Sequence, residues 1–381
     1  MKRKKTFALI IGFLFLVAIS GCENKINKNG AGAGAAHGFI ITSDFSIGNL
    51  STITTTTPRT TKNNVLGATG AHTDALIRAF GNLVFIVQRF GSNSILVIDP
   101  DNPGAPIANY TTNDSGSSNQ QSNPHDMAFV SDSKAYISRY SLNTLLIVNP
   151  RTGAQLGTID LSSFVDINDS DDLVEMDQMV IVGNLLFVSL QRLNNFSADN
   201  ASYIVVINTD TDDIIEPTSG EQKIVLQGRN PFDMTYLATT DRIYVANVAD
   251  FSTGNNFGGI EVINPNTLQS EGFILTDNQF NGVLNTIAIL SDSIAYAVIA
   301  DVNFNNSVVP FNLSTQKISP PLSGLGIDFL PSLAFDKAGV LYIADQDTNN
   351  PGVQVFDTAT DQKIEGPIDT GLPPFEIIFL P

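Results

Sequence analysis

The chain carries one cysteine, three histidines and no tryptophan in 381 residues. A lone thiol excludes an intramolecular disulfide, a thiolate metal cluster and a two-cysteine haem attachment. With so few histidines, acid–base chemistry at neutral pH has little to draw on. Basic residues are scarce as well. Twenty Lys and Arg stand against 38 Asp and Glu, a net charge of −18. That balance excludes nucleic acid as a partner and disfavours anionic membrane surfaces, while cations or basic partners suit it. There is no Gly-x-Ser-x-Gly nucleophile elbow and no phosphate-cradling glycine loop. After Ile19 no second long apolar run appears, and no stretch shows helical periodicity.

What is there begins at the N-terminus. Met1-Lys2-Arg3-Lys4-Lys5 is a basic region, followed by an apolar run from Phe7 to Ile19 of signal-peptide length. It ends in Ile19-Ser20-Gly21-Cys22, which resembles the lipobox of bacterial lipoproteins. The resemblance implies that residues 1–21 are cleaved and that the Cys22 thiolate takes up a diacylglycerol. Acyl chains would then hold the protein on a lipid bilayer in the cell envelope. Glu23 follows, not the aspartate linked with inner-membrane retention, so the outer membrane is the expected address. Residues 22–37, with their alternating Gly and Ala, form a flexible tether.

Residues 38–381 are too long for one ordinary core but suit a repeat architecture. One phrase, an apolar run ending in Asp or Asn and then a turn, recurs six times about 45 to 60 residues apart, ending at Asp99, Asn149, Asn208, Asn264, Asn312 and Asp357. Asp or Asn there can bond the backbone ahead and initiate a hairpin turn. A β-branched or aromatic strand precedes each copy, as in Leu83–Val87, Arg242–Ala246 and Val340–Ala344. A third apolar segment lies upstream of that, opening at Asp74, Asp126, Asp177, Asp233, Asn285 and Ser332. A weaker fourth strand follows each turn. Four short strands per repeat make a propeller blade. The chain ends on a copy of the third phrase, Glu376–Phe379, and the folded part starts on a copy of the second, Gly38–Ser43. An all-β, seven-bladed β-propeller is therefore expected, its last blade closed by one C-terminal strand and three N-terminal ones. Leu50–Thr56 and Asn64–Ala68 are the expected remaining strands of that blade.

The phrases Leu341-Tyr-Ile-Ala-Asp345 and Ile243-Tyr-Val-Ala-Asn247 resemble the YVTN and NHL-type propeller repeats of bacterial secreted proteins, over nearly the whole mature chain. That resemblance implies the fold and leaves the task open. The missing tryptophan speaks against quinoprotein propellers, whose repeats carry a tryptophan docking motif.

In such a ring the first strand of each blade lines the central channel. Asp74, Asp126, Asp177, Asp233 and Glu376 are expected to circle its mouth, where like charges invite a hard cation such as Ca²⁺. The bland alternative is that each carboxylate accepts backbone N–H bonds between blades. The same face should carry His72, His125, Arg89, Arg139, Arg192, Asn247 and Asp345 as candidate ligand-binding residues. Loops rich in Asn, Ser and Asp, with single aromatics at Phe164, Phe196, Phe251 and Phe257, fall there too. Asp166 to Asp172 has the alternating oxygen ligands of a calcium loop without the Gly or the distant Glu of an EF-hand. Two functions follow: a binding or scaffold module for a protein, glycan or small ligand, or a lactonase- or lyase-like enzyme using a metal or His at the channel mouth. The scarcity of acid–base residues favours the first. No catalytic residue is assigned.

Overall fold

The structure, a computed structural model, describes residues 37–117, 119–251 and 256–380; the signal sequence, Cys22 and the tether lie outside them. Seven small antiparallel sheets form a ring, with almost no helix. Blade 1 comprises Ala75–Phe80, Leu83–Gln88, Ser94–Ile98 and Ala108–Thr111. Blade 2 comprises Pro124–Ser131, Lys134–Arg139, Thr144–Val148 and Gln155–Asp160. Blade 3 follows with Met176–Val182, Leu185–Leu190, Tyr203–Asn208 and Ile224–Val225, and blade 4 with Pro231–Leu237, Arg242–Asn247, Gly259–Asn264 and Gln269–Thr276. Blade 5 has three strands, Val283–Ile289, Ala295–Ala300 and Asn306–Phe311. Blade 6 holds Ser332–Phe335, Leu341–Asp345, Gly352–Asp357 and Gln362–Ile368.

The seventh sheet pairs the C-terminal strand Pro374–Phe379 with His37–Ser43, Gly48–Thr54 and Thr61–Lys62. The expected closure is therefore present, with Phe39 opposite Ile378 and Ile40 opposite Ile377. Gly38 belongs here because a Cβ on it would sit 2.6 Å from the Phe379 ring. Two details differ from expectation. The outer strand of this blade is Thr61–Lys62, and Gly67–Thr69 is a 3₁₀ turn, not a strand. Blade 5 replaces its fourth strand with a single bridge between Phe311 and Ile318, because Pro320 and Pro321 beyond it bring no N–H to a ladder.

The core explains why the strands read as unbroken apolar runs. The inner three strands of each blade bury both faces, one against each neighbouring blade, so alternate residues serve different interfaces, while outer strands such as Gln155–Asp160 stay largely exposed. Ile243 and Val245 pack toward blade 3, while Tyr244 and Ala246 pack toward blade 5. Seven such apolar clusters fill the seven interfaces, and the one joining Phe39, Ile41 and Ile378 to Ile77, Val84 and Ile86 completes the circle.

The turns behave as their residues dictate. The side-chain oxygens of Asp99, Asn149, Asn208, Asn264, Asn312 and Asp357 each accept a backbone N–H two or three residues on. On the same side of the ring, tyrosines of second strands reach the next blade. Tyr136 bonds Asp212, Tyr296 bonds Asp361 at 2.7 Å, and Tyr342 accepts from Arg59 at 2.7 Å.

Candidate functional site

The opposite side, where inner strands begin and second strands end, is the channel face. Its centre is a closed polar network. Glu376 of blade 7 accepts the Ile77 N–H of blade 1 at 2.7 Å. Asp126 of blade 2 accepts the Met179 N–H of blade 3 at 2.7 Å. Asp233 of blade 4 accepts the Thr286 hydroxyl of blade 5 at 2.5 Å, and Ser332 of blade 6 accepts the Ile377 N–H of blade 7 at 3.2 Å. A strand-start side chain thus clasps the next blade's inner strand, the use that carboxylates at such positions offer.

Arg78, which the sequence reading passed over, ties this network together. Its Nε donates to Asp126 at 2.5 Å, and its Nη1 donates to Glu376 at 2.9 Å and to the Ile77 carbonyl at 2.7 Å. The guanidinium is buried. Burial works against its charge, but the Asp126 and Glu376 carboxylates outweigh it and hold the pKa above the ordinary arginine value.

The remaining candidates divide. Asp74, the least buried of the five carboxylates, accepts Arg89 Nε at 2.7 Å, and His72 turns its Nδ1 to the Asp74 backbone. His125 stacks on Tyr140 with ring centres 4.2 Å apart and meets Asp177 at 3.1 Å, while Gln191 donates to the other Asp177 oxygen. His72, Asp74 and Arg89 in blade 1, and His125, Tyr140 and Asp177 nearby, form a polar arc. Arg139 is fully buried and spent on Asp114, Thr112 and Thr144. Arg192 is likewise held by the Phe164 and Ala201 carbonyls and by Asp166, and lies over the Tyr203 ring. Asn247 contacts Glu261, and Asp345 accepts from Gly326, Asp347 and Gln354. These four brace neighbouring loops and strands within the protein. Among the described residues, no three of Asp74, Asp126, Asp177, Asp233 and Glu376 meet at metal-ligating separation; the group that does is Asp169, Asp171 and Glu175, within 4.8 Å.

Across the ring lies a cavity of about 630 Å³ over blades 4 to 6. Phe232, Phe251, Phe304, Phe329 and Val302 wall it, with Asn285, Asp301, Asn306 and Asp328 supplying the polar edge. Phe232 and Phe251 meet edge to face, and Phe329, Phe375 and Phe45 continue the aromatic surface toward blade 7 at centroid spacings of 6.3 Å. Val302 and Phe304 are each 71% exposed, an unfavourable display unless something covers it. Of the exposed large apolar side chains among the described residues, only Ile107, Leu156, Val225 and Ile364 lie off this face. Phe164, expected in a recognition loop, is instead buried, whereas Phe196, Phe251 and Phe257 are exposed. Phe232, Phe304 and Phe329 carry no local signal, since each is one phenylalanine at a strand edge.

The cavity's two acids are committed as carboxylates. Asp301 is held below its ordinary pKa by the Asn305 side chain and by backbone donors, Asp328 by Thr348. The carboxyls displaced toward neutrality are elsewhere. Burial pushes Asp277 up to about 6, and burial with the charges of Asp171 and Asp169 pushes Glu175 up to about 8.

The comparisons with known proteins concern the fold. No family model matches the chain, and no curated protein is similar to it in sequence. Among solved structures, a Lactobacillus plantarum protein covers 91% of this chain and 100% of its own length at 12% identity and TM-score 0.62. A candidate 6-phosphogluconolactonase from Bacteroides fragilis covers 92% and 100% at 14% identity and TM-score 0.58. The dihydro-heme d1 dehydrogenase NirN covers 91% of this chain and 76% of its own at 12% identity and TM-score 0.55. At such identities the likeness is one of architecture.

Proposed function

We propose that this chain is a lipid-anchored cell-envelope propeller that binds an apolar partner group through the channel face over blades 4 to 6. The observation that carries this is the cavity of about 630 Å³ walled by exposed phenylalanines and edged by Asp301, Asp328, Asn285 and Asn306. Ligand sites have this make-up: mostly apolar walls with a few placed polar groups. The carboxylate edge and the net charge of −18 favour an occupant with an aromatic or aliphatic body and a cationic or donor-bearing end. A peptide segment pairing an aromatic residue with lysine or arginine has that chemistry.

Anchorage fits the same picture. The chain enters the ring at His37, at the end of its strand away from the channel face. Acylation at Cys22 would then leave the channel face free to meet a partner in the envelope. A lactonase- or lyase-like activity finds less support, because the cavity's titratable groups, Asp301 and Asp328, are held ionised and no histidine lines it.

The test is binding of short aromatic-basic peptides to the purified protein, with neutral oligosaccharides as comparison. A Phe304→Ser, Phe329→Ser double variant should lose about 1 kcal/mol per ring, roughly 30-fold in affinity. Equal binding by wild type and double variant, or saturable binding of the oligosaccharides alone, would overturn the proposal.

A further inference from the structure

The connection from blade 2 to blade 3 holds a group of side chains that the apolar cavity does not use. Asp169, Asp171 and Glu175 each turn a carboxylate oxygen into one spot, all within 4.8 Å of one another. Three carboxyl groups so close repel as anions, and a cation between them relieves that repulsion without a proton being taken up. Among the described residues, none of the three is in an ion pair. The nearby Arg192 is committed to Asp166 and to the Phe164 and Ala201 carbonyls.

A second observation is independent of the clustering. Asp169 is 9% exposed, and its Oδ2 is shut off from solvent without any hydrogen-bond partner. Its other oxygen, Oδ1, accepts the Asp171 N–H at 3.3 Å. Glu175 is also buried, with one oxygen satisfied by the Leu193 N–H at 3.1 Å. Asp171 is exposed and leaves the site open on one side. A buried carboxylate oxygen without a donor costs more than most folds tolerate, and a ligated cation removes that cost.

We infer that Asp169, Asp171 and Glu175 form a cation site for a hard divalent ion, Ca²⁺ by preference. All the ligands are oxygens, and the open side lets water complete the six to eight positions that Ca²⁺ takes. Mg²⁺ demands a tighter octahedron and gives up water reluctantly, so it should bind more weakly. Bound there, the ion pins the connection at residues 161–175 against the start of blade 3 and neutralises charge beside His125 and Tyr140. The location is the acidic segment whose sequence spacing suggests calcium, but the ligand set is different. Glu175 lies beyond the Asp166–Asp172 run, and Asp166 is turned away to Arg192.

Calorimetric titration of the metal-stripped full chain with CaCl₂ tests the site, with MgCl₂ in parallel and thermal unfolding as a second readout. Wild type should bind one Ca²⁺ with a Kd on the order of 10⁻⁴ M, as extracellular modules do. Unfolding should rise by roughly 1–3 °C at millimolar Ca²⁺. Asp169→Asn and Glu175→Gln should each weaken binding by about 10-fold or more. Asp171→Asn, at an exposed position where the amide oxygen can still accept the Leu173 N–H, should do the same, and Asp101→Asn on the far face should bind as wild type. The inference fails if wild type shows no saturable heat up to several millimolar. It fails equally if Asp171→Asn and Glu175→Gln bind unchanged, or if Asp101→Asn loses as much, since diffuse screening of an acidic protein would then explain the signal.

Discussion

Arg78→Met asks how the ring is locked. Arg78, Asp126 and Glu376 belong to blades 1, 2 and 7, and all three are buried. Methionine keeps the length and apolar stem of the side chain but removes its three donated bonds, to Asp126, Glu376 and the Ile77 carbonyl. The two carboxylates keep their backbone donors, Met127 and Met179 for Asp126 and Ile77 for Glu376, but lose the buried counter-charge that Arg78 gives them. Removing one partner from a buried charged group costs about 3–5 kcal/mol, most of it from the charges left behind. For a domain of this size that is roughly 1 M in the urea midpoint. Adding Asp126→Asn and Glu376→Gln to Arg78→Met should recover part of the loss, since neutral groups need no counter-ion. Urea unfolding followed by circular dichroism at pH 7.5 reads both the single and the triple variant. An Arg78→Met midpoint equal to wild type at pH 7.5, or a triple variant weaker than the single by the sum of its parts, would refute the reasoning.

The remaining predictions are simpler. Glu175 has its pKa raised from an ordinary 4.5 to about 8 by burial and by facing Asp171 and Asp169, with Leu193 N–H and Arg192 acting the other way. A raised folded-state pKa stabilises below pH 4.5 and is lost as pH climbs through 8, so in chelator the wild type should weaken across that window. Glu175→Gln should match it near pH 4.5 and exceed it by at least ~2 kcal/mol at pH 8.5, and parallel melting curves would contradict this. Cys22→Ser should release the protein from the membrane fraction and abolish metabolic labelling by a fatty acid; a variant still in the membrane pellet would argue for another anchor.

The blade repeat was legible because its signals are local. Strands buried on both faces show as apolar runs, and Asp or Asn at the hairpins shows as turn chemistry, so Asp357 and Asn149 could be placed without coordinates. Closure was legible for the same reason, since Glu376–Phe379 and Gly38–Ser43 each match a phrase of the repeat. The polar positions were harder. Asp126, Asp233 and Glu376 were located correctly at strand starts, but only the structure shows that each clasps the next blade. Arg139 and Arg192 sit at the expected strand ends, yet their side chains are spent on Asp114 and Asp166 in the connections that lead into their own blades.

Backbone periodicity and turn propensity are properties of a few neighbouring residues, and they were enough to determine a closed seven-bladed ring. Convergence between blades is different: it depends on how each sheet is rotated against the next. Arg78 between two carboxylates from other blades, four phenylalanines from one strand and three separate loops around one cavity, and Glu175 folded back onto Asp169 and Asp171 are all of that kind. Tertiary packing alone decided them, because it brings together atoms that the linear chain holds far apart.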